Sequence, residues 1–226
     1  MQLYKYLRRE FAVALVQRGS TRIGTLRDFR DEEKHGKGIG DATEGTKTIL
    51  ARIDGTYDSG TPETAALNEL GGIFIGEGCK NIKIRVGSIV SEHTTPDALV
   101  WCCSTVRSAD ALASIDGADT CVEIFDVPRF FDALDRAIRA HFLSYNGLQK
   151  FGPSPVSYQS RIEAWNKRDL GLNPVFIKED IPIFASQREV RAAWFNPDSP
   201  NVTFKPDVLT ASDCHLYCRI VEREDL

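Results

Sequence analysis

The sequence lacks the short motifs by which nucleotide, metal and redox sites are most easily recognised. It has neither the G-x-G-x-x-G fingerprint of dinucleotide-binding folds nor the G-K-[ST] ending of a P-loop. Its six cysteines include no C-x-x-C pair and its four histidines show no metal-ligand spacing, which argues against a zinc ribbon. We therefore expect no metal site and mostly buried, reduced thiols. A site built from Cys214, His215 and Cys218 stays an alternative.

Long apolar runs and an excess of basic charge are also missing. No run approaches the length of a membrane-spanning helix, and the residues after Met1 do not resemble a signal peptide. The formal net charge of −4 argues against a broad basic surface for duplex DNA but leaves a local basic groove open. The 226 residues are enough to bury a sizeable core. We expect a cytoplasmic protein that does not contact membranes.

Hydrophobic periodicity predicts a strand-rich α+β chain. Strands are predicted at residues 3–7, 21–26, 48–53, 73–75, 82–90, 98–103, 120–125, 151–160 and 215–221. Helices are predicted at residues 8–17, 62–70, 126–144 and, as a short one around Trp165, within 161–172. No repeat, low-complexity tract or linker interrupts the chain, so we predict one domain over residues 1–226.

Residues 182–195 contain the strongest candidate for chemistry. The first three apolar residues predict a short strand, and the alternation after the polar turn predicts a second, half-buried strand. Glu189 lies at the start of that second strand, and Gln187 lies two residues before it. A strand period of two would point both side chains to one side, where they can bind a ligand. The alternative is a solvated turn in which Glu189 pairs with Arg188 or Arg191.

Three other polar features have a functional and a structural interpretation. Lys5 lies within an apolar first strand, where it either binds an anion such as phosphate or protects a sheet edge. Ser104 and Thr105 follow the strand at 98–103, where they either contact a ligand or terminate the strand. Residues 27–47 are polar and glycine-rich and are expected outside the core, either covering a ligand or as a solvated insertion.

Taken in chain order, these features resemble the ADP-ribosyltransferase superfamily. In that family a first-strand residue contacts NAD, a middle strand ends in Ser-Thr-Ser or Tyr, and a late strand begins with the catalytic Glu, often two residues after Gln or Glu. The corresponding residues here are Lys5, Ser104 with Thr105, and Gln187 with Glu189. A lysine replaces the more frequent Arg or His, and Val106 replaces the final Ser. The layout is also similar to small bacterial proteins that begin Leu-Tyr-Lys-Tyr.

The resemblance implies two packed small sheets with helices and an NAD-dependent mono-ADP-ribosyltransferase. NAD is then the co-substrate, and the acceptor is a macromolecule, either protein or nucleic acid. A bacterial toxin or anti-phage effector, with an antitoxin protein as a candidate partner, is the implied context. Glu189 would bind the ribose 2′-hydroxyl and stabilise an oxocarbenium-like state. Gln187 would orient the nucleophile of the acceptor.

The same resemblance assigns the groups that bind NAD. Lys5 with Arg22 or Arg30 would bind the pyrophosphate. Ser104 and Thr105 would contact the cofactor. The nicotinamide would stack on one of three aromatic residues, namely Tyr6, Tyr158 or Trp194.

Two other functions stay open at the level of sequence. A non-catalytic module of similar shape would use residues 27–47 to bind a nucleotide or a partner protein. A cysteine-dependent hydrolase would use Cys103 as its nucleophile with a histidine from elsewhere in the fold.

Overall fold

A computed structural model describes residues 2–35, 39–145 and 147–221, which form two compact units. The first unit comprises residues 1–44, 96–158 and 178–226, and the second comprises residues 45–95 and 159–177. The predicted α+β, strand-rich character of the chain is confirmed, and the strands form sheets of eight, three and two strands. The single domain over residues 1–226 stays a prediction, since compactness does not show which part folds alone. Among the described helices, none has the length and apolar character needed to cross a membrane.

The strands and helices have the following bounds in chain order. The strands are β1 Leu3–Leu7, β2 Ser20–Thr25, β3 Thr46–Tyr57, β4 Ile82–Thr94, β5 Leu99–Ser104, β6 Thr120–Ile124, β7 Gln149–Pro155, β8 Ser157–Tyr158, β9 Ile162–Ala164, β10 Ile177–Lys178, β11 Glu189–Phe195, β12 Asp207–Thr210 and β13 Cys218–Val221. The helices are α1 Arg9–Arg18, α2 Leu26–Phe29, α3 Glu32–His35, α4 Pro62–Leu70, α5 Ala109–Ala113, α6 Val127–His141 and α7 Pro182–Ala185, with 3₁₀ turns at Pro174–Phe176 and Ser212–Tyr217.

The first unit is built on an eight-stranded antiparallel sheet. Its order is β12-β2-β5-β1-β6-β13, and β11 lies between β5 and β7. β11 pairs with β5 along the whole of β5, from Leu99 to Ser104. The opposite edge of β5 is shared by two strands, because β2 pairs at Leu99 and Val100 and β1 pairs at Ser104. The sheet therefore divides along this edge into two arms.

Helices α1 and α6 cover the core of the first unit. Phe130, Leu134 and Ile138 recur at a spacing of four residues, so one face of α6 is buried. Asp126 caps this helix by accepting a hydrogen bond from the Arg129 N–H at 3.3 Å, as the sequence predicts. The predicted stop of α1 at Gly19 is also confirmed, since Gly19 has a φ of 68°.

The second unit is a long hairpin covered by a helix. β3 pairs antiparallel with β4, and β9 adds parallel to the other edge of β3. Helix α4 has the predicted bounds, with Pro62 in its first turn, and buries Leu67 and Leu70 beside Ile49 and Ile53 of β3.

Two predicted strands are wrong for local reasons. Residues 183–185 form helix α7, which starts at Pro182, a residue whose fixed φ suits a first helical position. Residues 73–75 form no strand, because the Asn68 side chain accepts from the Ile75 N–H at 2.8 Å and donates to the Ile75 carbonyl at 3.1 Å. A side chain thus satisfies backbone groups that a neighbouring strand would otherwise take.

The short helix predicted around Trp165 is also wrong. The chain forms strand β9 at this place, and Ile162, Glu163 and Ala164 pair with β3. The Thr48 N–H donates to the Arg161 carbonyl at 2.8 Å, which fixes the start of this pairing. Pairing with a long neighbouring strand outweighs a weak local helix propensity.

Residues 27–47 do not lie wholly outside the core, in contrast to the prediction. They include most of α2, all of α3 and the start of β3, while residues 36–38, with two of the predicted loop glycines, are outside the described residues. Three charged residues of this stretch are buried, namely Asp41, Glu44 and Lys47. Buried charges need partners, and Glu44 has one in the site described next.

Candidate functional site

A cavity of about 610 Å³ lies in the first unit where its sheet divides. Between the pairings of β2 and β1, Trp101, Cys102 and Cys103 have no strand partner on that edge of β5 within residues 2–35, 39–145 and 147–221. Such a volume suits a small-molecule or cofactor site. Six of the predicted site residues line this cavity, namely Lys5, Tyr6, Arg22, Ser104, Gln187 and Glu189.

Glu189 is the first residue of β11, opposite Ser104 of β5, and is only 5% exposed. Its Oε1 accepts from Arg191 Nε at 2.6 Å, and its Oε2 lies 3.0 Å from Lys178 Nζ. Its backbone N–H donates to the Tyr158 hydroxyl at 2.7 Å. The carboxylate therefore has a fixed position on the wall of the cavity. The alternative interpretation is right about the pairing with Arg191 and wrong about exposure, because Glu189 is buried.

Arg191 connects Glu189 to the stretch before β3. Its Nη1 and Nη2 donate to the two carboxylate oxygens of Glu44 at 2.6 and 2.8 Å, and both residues are 1% exposed. This bidentate geometry is the strong form of an arginine–carboxylate pair. With Lys178, the cluster holds two carboxylates and two cations, so its buried charges are balanced. We call Glu44, Lys178, Glu189 and Arg191 the buried ion cluster.

The buried ion cluster keeps Glu189 negatively charged. Burial alone would raise the pKa of Glu189, but the charges of Arg191 and Lys178 outweigh it and hold that pKa well below the usual range. Burial alone would lower the pKa of Arg191. The negative charges of Glu189 and Glu44 outweigh this effect and raise that pKa far above its usual value. Glu189 is thus an ionised carboxylate on the cavity wall, beside the two cations that balance its charge.

Cations line another part of the cavity. Lys5 Nζ lies 4.8 Å from the centroid of the Trp101 ring and donates to the Cys102 carbonyl on the unpaired edge of β5. β1 is not an edge strand of the sheet, because it lies between β5 and β6, and Lys5 instead binds the unpaired edge of β5 inside the cavity. Arg18 and Arg22 also line the cavity, and Arg22 forms an ion pair with Asp28. These groups are the candidates for binding phosphate oxygens.

The predicted hydroxyl contacts are mostly used within the protein. The Ser104 hydroxyl donates to the Gln187 carbonyl at 2.6 Å and accepts from the Val106 N–H at 3.1 Å, which joins the end of β5 to the turn before β11. The Tyr6 hydroxyl donates to the Val106 carbonyl at 2.7 Å, and burial raises its pKa to about 12. Thr105 does not line the cavity, and its exposed hydroxyl donates to the Arg188 carbonyl at 3.3 Å.

Gln187 lines the cavity, but its side chain is not oriented by a strand as predicted. The strand begins at Glu189, and Arg188 has a φ of 44°, so a strand period does not relate Gln187 to Glu189. The Gln187 side chain is buried, and its Nε2 donates to the Ile183 carbonyl at 3.2 Å. Both side chains still line the cavity.

Three further predicted ligands do not line the cavity, and one of them is Tyr158, whose hydroxyl accepts from the Glu189 N–H. Arg30 donates from Nε to the Glu44 carbonyl at 2.8 Å, so it supports the stretch that carries Glu44. Trp194 is fully buried in the core, where its indole N–H donates to Asp135 at 2.7 Å. β11 is buried on both faces rather than half-buried, and Trp194 lies on the face opposite to Glu189 and Arg191, away from the cavity.

The site also contains four residues that were not predicted from the sequence, namely Arg18, Glu44, Lys178 and Arg191. Arg191 could have been found, because the two-residue period of the predicted strand places it on the same face as Glu189. Lys178 ends an apolar run, where a charge calls for a partner. Glu44 gave no signal, because it lies in an irregular stretch and its partner is 147 residues away.

The cysteine and metal alternatives find no support. Burial raises the pKa of Cys102 to about 12 and that of Cys103 further, which makes both thiols poor nucleophiles. All six cysteines are free, as predicted. Within the described residues no group of three or more His, Cys, Asp or Glu side chains can hold a metal ion.

No protein-family model, curated protein or solved structure matches this chain.

The low pKa of Glu189 predicts an acid-sensitive stability. The unfolded chain takes up a proton near the ordinary glutamate pKa of 4.5, whereas the folded chain does so only at lower pH. The stabilisation is therefore present above about pH 4.5 and is lost as the pH falls below it. Between about pH 5 and pH 3, the Tm of wild type should fall faster than that of Glu189→Gln. Thermal unfolding across this range measures the difference, and Glu33→Gln, at an exposed site, should follow wild type. Parallel curves for wild type and Glu189→Gln would contradict the assignment.

Proposed function

We propose that this chain is an NAD-dependent mono-ADP-ribosyltransferase with a macromolecular acceptor. The observation that carries the proposal is the charged carboxylate of Glu189, held at the head of β11 on the wall of a cavity of about 610 Å³. The first unit has one eight-stranded sheet, and we propose that its two arms at β5 correspond to the two small sheets that the sequence resemblance implies. The proposed fold is accordingly that of the ADP-ribosyltransferases.

The proposed chemistry needs a fixed negative charge beside the ribose. When the bond between nicotinamide and ribose breaks, its electron pair leaves with nicotinamide and positive charge develops on the sugar. Glu189 accepts a hydrogen bond from the ribose 2′-hydroxyl and stabilises that charge. Its position is preorganised, because Arg191 and Lys178 hold it before any ligand arrives. A nucleophile of the acceptor then bonds to the ribose carbon and loses its proton.

The other lining residues fit the remaining parts of NAD. Lys5, Arg18 and Arg22 supply positive charge for the pyrophosphate. The rings of Tyr6 and Phe29 line the same cavity and suit stacking against a flat heterocycle. Both kinds of contact are thus available within one cavity of the first unit.

The test is NAD consumption by purified protein with cell extract as the source of acceptor. Wild type should consume NAD and label the acceptor with ADP-ribose. Glu189→Gln should lower the rate at least ~100-fold, the size of effect seen when one preorganised electrostatic group is removed. Glu123→Gln is the matched control: Glu123 is a buried, ion-paired glutamate of β6 outside the cavity. This variant should keep wild-type activity.

Binding measurements separate loss of chemistry from loss of folding. Glu189→Gln should still bind NAD in calorimetry and should unfold cooperatively. If wild type neither binds nor consumes NAD, the proposal is wrong. In bacteria, the proposed toxin or anti-phage role predicts that wild-type expression arrests growth while Glu189→Gln is tolerated, and an antitoxin would restore growth.

A non-catalytic nucleotide-binding module is the second candidate. It is favoured by one observation: both oxygens of Glu189 already interact with Arg191 and Lys178. A carboxylate used in this way can be purely structural. NAD binding without turnover, unchanged by added extract, would select this candidate, whereas covalent transfer of ADP-ribose would exclude it.

A further inference from the structure

Strand β4 of the second unit is a long edge strand. Its partner is β3, and no other described strand pairs with it. None of its residues is fully buried, and Val86 and Val90 are 69% and 67% exposed. An exposed edge of this length offers a row of backbone donors and acceptors to another strand.

A β-bulge determines which side chains of β4 share a face. Ile53 pairs with Gly87 but Gly55 pairs with Ile84, so Arg85 and Val86 together stand opposite one residue of β3. Val86 has a φ of 45°, which marks the bulge.

The bulge places Arg85 and Glu92 on the same outer face. Ile84 packs against the core of the second unit, so its neighbour Arg85 points outward. Glu92 is exposed and follows Ser91, which pairs with the buried Ile49. Without the one-residue offset, an odd-numbered and an even-numbered residue would lie on opposite faces. Neither charge forms an ion pair within the described part of the chain.

We propose that β4 pairs antiparallel with β4 of a second copy of this chain. A symmetric dimer through a strand edge requires an antiparallel pair with a two-fold axis. When the axis passes through Ile89, Ser88 faces Val90 of the second copy and Gly87 faces Ser91. The bulged Val86 stays unpaired, and Arg85 then faces Glu92 of the second copy.

Charge complementarity and apolar contact both favour this partner. The symmetry creates the Arg85–Glu92 pair twice, once on each side of the axis. Opposite charges directly across an antiparallel pair stabilise it. The axis also brings Val90 of one copy close to Val90 of the other, beside the exposed Leu50 that pairs with Val90 in β3. The second copy thus covers apolar surface and pairs two charges that have no ion-pair partner among the described residues of one copy.

Charge reversal tests the proposal with the purified chain of 226 residues. Wild type should be a dimer in sedimentation equilibrium at micromolar concentration. Arg85→Glu and Glu92→Arg should each raise the dissociation constant roughly 10- to 30-fold, because two attractive pairs become repulsive. Mixing the two variants should restore a dimer, since both cross-strand pairs are then of opposite charge in the heterodimer. The double variant Arg85→Glu/Glu92→Arg should also dimerise.

Arg52→Glu is the matched control, because Arg52 is exposed on the adjacent strand β3 and not at the edge. This variant should dimerise like wild type. A monomeric wild type at all concentrations would overturn the proposal, and the two charges would then serve to keep the edge free of partners. A dimer that both single reversals leave unchanged would overturn it as well.

Discussion

Replacing Arg191 with alanine should lower the free energy of unfolding by about 3–5 kcal/mol. The substitution leaves Glu44 and Glu189 close together in the interior without the guanidinium that binds both. For a chain of this length the loss corresponds to a fall in Tm of roughly 6 to 20 °C. Urea unfolding, followed by the fluorescence of the buried Trp101 and Trp194, measures it. Arg191→Lys should lie between wild type and alanine, because it keeps the charge and loses the bidentate geometry.

A surface arginine is the control for Arg191. Arg136 pairs with Asp213 at 3.0 Å, but both side chains are more than half exposed. Arg136→Ala should therefore stay within about 1 kcal/mol of wild type. If Arg191→Ala were equally mild, the two carboxylates would have to reach water in the folded state, and the buried ion cluster would not exist as described.

Replacing Trp101 with alanine should cost a similar amount, about 3–5 kcal/mol. Trp101 is 1% exposed, and its ring lies 5.3 Å from that of Phe130 and 5.5 Å from that of Phe131. Its indole N–H also donates to the Thr21 hydroxyl at 3.0 Å, which connects β5 to β2 where the sheet divides. Urea unfolding followed by circular dichroism measures the loss.

Two variants separate the contributions of Trp101. Trp101→Phe keeps an aromatic ring and removes the hydrogen bond to Thr21, so it should cost about 1–2 kcal/mol. Phe74→Ala removes a ring that is 82% exposed and should stay within about 0.5 kcal/mol of wild type. An effect of Trp101→Ala no larger than that of Phe74→Ala would show that the aromatic core does not stabilise the sheet.

The elements that the sequence predicts well are those with strong local signals. Strand β1 and helix α4 have the predicted bounds, and α6 has the predicted cap and apolar spacing. A proline at a helix start or an apolar residue every fourth position acts within one element, so it can be recognised without the fold. The short segment 183–185 was predicted wrongly, because three apolar residues suit either a strand or a helical turn.

The candidate site could be predicted only in part, because only some of its residues have a strong local signal in the sequence. Glu189 attracts attention from its place before an apolar strand, and Lys5 from its place within one. Glu44 belongs to an irregular stretch, and its burial depends on Arg191, which the fold brings to it. Long-range charge pairing of this kind leaves no periodic pattern in a single sequence.

The distance along the chain between Glu44 and Arg191 has a consequence for biosynthesis. A ribosome that adds roughly 5–20 residues per second needs roughly 7 to 30 s to make the 147 residues that separate them. During this interval the nascent chain has Glu44 but neither β11 nor its arginine. The cavity wall formed by Glu189 is therefore made long after Glu44, and a chain truncated before β11 contains Glu44 but no complete site.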